Sequence, residues 1–61
     1  MTQAELERVY EAMAVAIDNV GPDQGEVFLA KLALALAEDL GRTERVLEVI
    51  AECRSGLERR D

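Results

Sequence analysis

The sequence predicts an all-α, three-helix protein built on an antiparallel helical hairpin and completed as a dimeric helical bundle. Three observations carry that prediction. Apolar residues recur at spacings of three and four in the first and last thirds of the chain, the period of a helix with one buried face. Gly21-Pro22 and Gly41-Arg42 interrupt the pattern where helices end. Between those breaks, Val27 to Ala37 is apolar at every position except Lys31, more than a single-striped helix carries.

The first helix is expected from about Gln3 to Asn19. Thr2 and Glu5 fit a capping box, in which the hydroxyl accepts from the amide three residues on and the carboxylate reaches back. Leu6, Val9, Tyr10, Met13, Ala16, Ile17 and Val20 fall on one stripe at 100° per residue, with Glu7, Arg8, Glu11 and Asp18 outside it. The second helix is expected over residues 23–40. Pro22 suits a helix entrance, Asp23 and Glu26 favour its positive end, and Gly41 provides a left-handed stop. The third, over residues 44–57, takes Thr43 as its cap and lines Val46, Val49, Ile50, Cys53 and Leu57 along one side. The three form one small domain, residues 1–61.

Projection of the second helix shows why a partner is expected. Phe28, Leu29, Leu32, Ala33, Leu36, Ala37 and Leu40 span about half of its circumference, counted at 100° per residue. Val27, Ala30 and Leu34 lie beyond that arc, towards the opposite side. Gln24, Lys31 and Glu38 make a narrow polar strip. A first helix of about 17 residues, roughly 26 Å long, covers one side as a hairpin, and the third covers part of the rest. With one Phe, one Tyr and no Trp, the chain has few large side chains to close a core alone. A two-fold pairing needs only one apolar patch, used twice. Val27, Phe28, Ala30 and Leu34 are therefore the expected interface, with Leu47, which lies off its own helix's stripe, beside them. A three-helix monomer, or a different protein covering this face, are the alternatives.

Composition narrows function. Seven Lys and Arg stand against thirteen Asp and Glu, a formal net charge of -6, which disfavours nucleic acid and anionic membrane surfaces. The basic tail, Arg54, Arg59 and Arg60, reads as cations at a helix C-terminus. The N-terminus has no basic segment followed by an apolar run, and the central apolar run falls short of the roughly 20 residues that cross a bilayer. A cytoplasmic protein is expected. There is no histidine, hence no common zinc ligand or neutral-pH base, and the single Cys53 cannot form an internal disulfide. Cys53 reads as a buried thiol, late in its helix where the dipole opposes thiolate formation. Glu44, Glu48 and Glu52 form an acidic ladder that Arg45 relieves through Glu48, and a solvated face is the expected reading of it. No catalytic residue, cofactor site or metal site is expected, so the protein reads as a non-catalytic interaction module.

Tyr10, the stretch Leu29 to Gly41 and the apolar pattern of the third helix resemble a family of short bacterial proteins classed as domain of unknown function 2783. That family has Asn-Ala-Arg-Leu and a run of Leu before a Gly, where this chain has Leu29-Ala30-Lys31-Leu32. Lys31 keeps the positive charge, Leu29 replaces the Asn, and Arg42 replaces an acidic residue after the glycine. The resemblance covers most of the chain and implies a small helical fold. It also implies an accessory role, docked onto a larger enzyme such as a flavin-dependent aromatic hydroxylase.

Overall fold

The computed structural model describes residues 1–59 of the chain. Three helices follow in order: α1 over Gln3–Val20, α2 over Gly25–Leu40 and α3 over Thr43–Arg54. No strand occurs among the described residues.

Local chemistry accounts for each boundary. The capping box forms at α1: the Glu5 amide donates to Thr2 Oγ1 at 3.1 Å, and the Thr2 amide donates to Glu5 Oε1 at 2.8 Å. α1 stops at Gly21, whose φ of 85° lies where a Cβ would be strained, and its amide still reaches the Ile17 carbonyl at 3.2 Å. α2 begins at Gly25, two residues later than expected. Pro22, Asp23 and Gln24 are spent on a turn closed by the Gln24 amide on the Gly21 carbonyl at 3.2 Å. Gly41 ends α2 in the left-handed conformation, φ 66°, as expected. Arg42 then stands as the extended N-cap of α3, without a side-chain cap bond, and Thr43 is already helical. The turn is too short to leave Thr43 outside the helix, so the cap expected there does not form. α3 ends at Arg54 rather than 57, because Ser55 turns extended and Gly56 takes a φ of 84°. Arg60, expected at the cationic tail, lies outside the described residues.

Packing is where the single chain departs from the expected bundle. Cα atoms twelve or more positions apart in sequence stay farther than 8 Å from one another among the described residues. The helices therefore meet only around their turns, and the antiparallel hairpin does not close along its length. Partial shielding is confined to two elbows. Met13, Ala16, Ile17, Gly25, Phe28 and Leu32 are half-buried at the first, and Ala37, Val46 and Val49 at the second. No described residue is buried. The Cα radius of gyration is 13.5 Å, against about 10.5 Å for a compact chain of this length.

Candidate functional site: an uncovered apolar surface

The five residues expected at an interface divide between the two elbows and the open face of α2. Val27 and Phe28 lie together in a shallow groove of about 520 Å³ at the first elbow, with Val20, Gln24, Lys31, Leu32 and Ala35. Phe28 is half-buried there, whereas Val27 is 52% exposed. Leu47 lines a second groove, with Ala37, Glu38, Gly41, Arg42, Thr43 and Val46. Ala30 and Leu34 line neither groove and face outward, Leu34 being 72% exposed.

The uncovered surface is larger than the sequence suggested. Leu6, Val9 and Tyr10 on α1, Leu29, Leu36 and Leu40 on α2, and Ile50 on α3 belong to the stripes expected to pack within the chain, yet all are exposed. Periodicity marks a side chain as apolar-facing, but it carries no record of which chain provides the cover. Cys53 corrects the expectation of a buried thiol: it is exposed. α3 meets α2 only at the Gly41-Arg42 end, and Cys53 sits in the last turn, in an open groove with Ile50 and Leu57 rather than against another helix.

The polar side chains form local pairs. Arg45 bonds Glu48 at 3.3 Å and Glu52 at 3.1 Å, which raises its already high pKa, Glu52 contributing most. Arg54 bonds Glu58 at 3.2 Å. The Glu5 carboxyl is held below its ordinary range, chiefly by the Thr2 backbone N–H and then by the Thr2 hydroxyl. These pairs are solvated, so water and salt screen them and they contribute little to stability. No group of three or more Asp, Glu or Cys side chains converges on a possible metal position among the described residues. No described helix is long and apolar enough to cross a membrane.

What the arrangement offers is exposed apolar area on all three helices, with Lys31 set among the apolar residues of the first groove. No protein-family model, curated protein or solved structure matches the chain. The resemblance to the domain of unknown function 2783 proteins accordingly rests on its residues alone.

Proposed function

We propose that this chain is a non-catalytic helical self-association module of the cytoplasm, whose working form is a homodimeric bundle. One observation carries the reading: no described residue is buried in the single chain, and Leu34 stands 72% exposed. Burying a Leu, Ile or Val contributes about 1.5–3 kcal/mol, and a lone chain that forgoes this has little to offset the entropy of ordering its helices. A second copy supplies the missing cover. The antiparallel packing absent within one chain is then completed between or across chains, around Val27, Phe28, Ala30, Leu34 and Leu47.

Sedimentation equilibrium at micromolar concentration, with circular dichroism on the same samples, tests this. The expected result is a helical species of twice the chain mass. A fully helical species at monomer mass overturns it. A chain that is unfolded alone and gains helix only on binding a larger protein points to the accessory role instead.

A further inference from the structure

The area left uncovered says how much cover is missing. The chain exposes 5863 Å², whereas a compact monomer of its mass exposes about 3,900 Å². The excess is roughly 2,000 Å² per chain, or roughly 4,000 Å² for two, within the range of about 2,000–5,000 Å² that obligate homodimers bury. A second copy that covers this excess makes an interface of that size, and its bare faces are the same ones.

The charges on α2 indicate how that copy is oriented. Lys31 and Glu38 share the polar strip, seven residues or roughly 10.5 Å apart along the axis. The helical neighbours of Lys31 at three and four positions, Val27, Phe28, Leu34 and Ala35, are all apolar, and Glu38, seven positions on, does not bond it as Glu52 bonds Arg45. Both side chains are exposed, and neither forms an ion pair among the described residues. The midpoint between them falls at Leu34 and Ala35, beside the most exposed leucine of α2.

Resting on the self-association reading, we propose that two copies pair through antiparallel α2 helices. The two-fold axis lies at Leu34–Ala35 and sets Lys31 of each chain against Glu38 of the other. Antiparallel pairing about that point exchanges positions 31 and 38, so one strip makes two opposite-charge pairs, one on each side of a Leu34 seam. Parallel pairing would set lysine against lysine and glutamate against glutamate, which is repulsive. The lone lysine in an apolar surround thereby acquires its partner and fixes orientation and register.

The test is the dimer dissociation constant, by sedimentation equilibrium at low salt, for Lys31→Glu, Glu38→Lys and the double exchange. Each single reversal turns two attractive pairs into repulsive ones and is expected to weaken association about tenfold. The double exchange is expected to return to within about threefold of the parent. Net charge alone predicts otherwise: Glu38→Lys makes an acidic chain less acidic and would tighten it. Tightening by Glu38→Lys, or absence of rescue in the double exchange, overturns the antiparallel arrangement and leaves self-association standing. A parent that is a helical monomer at every concentration overturns both.

Discussion

At the scale of single residues, the clearest chemistry is the turn of backbone that Thr2 and Glu5 close between them. Because the Glu5 carboxyl is held below its ordinary value, the contribution of its ionised form is present above the ordinary carboxylate range. That contribution is lost as pH falls through the lowered pKa. Thr2→Ala removes one of the two bonds. It is expected to cost about 1 kcal/mol of helix stability and to move the Glu5 titration part-way back towards the ordinary value. Carboxyl titration by NMR reads the shift, and faster amide exchange in the first turn reads the cap. Two glycines should respond in opposite ways. Gly41 holds a φ of 66° that side chains rarely adopt, so Gly41→Ala is expected to destabilise by about 1 kcal/mol. Gly25 has ordinary helical φ, and an added Cβ would meet only Ile17 Cγ2 at 4.0 Å, so Gly25→Ala is expected to stabilise by up to about 1 kcal/mol. Urea melts of the two variants at one concentration check the pair.

At the scale of elements, α2 separates two descriptions of the protein. In a lone chain Leu34 touches mostly water, and Leu34→Ala would cost almost nothing. In the assembled form the same change is expected to cost about 2–3 kcal/mol per chain, as truncation of a packed leucine does. Chemical denaturation at high and low protein concentration distinguishes the two. Element by element, what could be read in the sequence is what short-range chemistry decides. The Thr2–Glu5 box, the left-handed stop at Gly41 and the Arg45–Glu48 pair all join residues within four positions, and each forms. The early end of α3 had a visible cause in Ser55-Gly56, though the stripe through Leu57 argued for a longer helix. The closure of α1 on α2 was not legible, because Leu6, Val9 and Leu36 announce only that they need cover. The exposure of Cys53 was missed for the same reason.

At the scale of the whole molecule, helices that touch only at their turns have no core to hold them alone, so the proposed self-association would make folding and assembly one event. The melting temperature is then expected to fall by about 6 °C for each tenfold dilution, given the unfolding enthalpy usual for two chains of this length. Thermal melts across a hundredfold concentration range check this, and a concentration-independent midpoint contradicts it. The absence of any approach between residues distant in sequence also bears on speed. A chain without long loops to close meets little internal barrier, and its helices equilibrate in under a microsecond or so. In the proposed dimer, what remains slow is the search of one molecule for another. Recovery from denaturant should therefore follow second-order kinetics, its half-time halving each time the concentration is doubled.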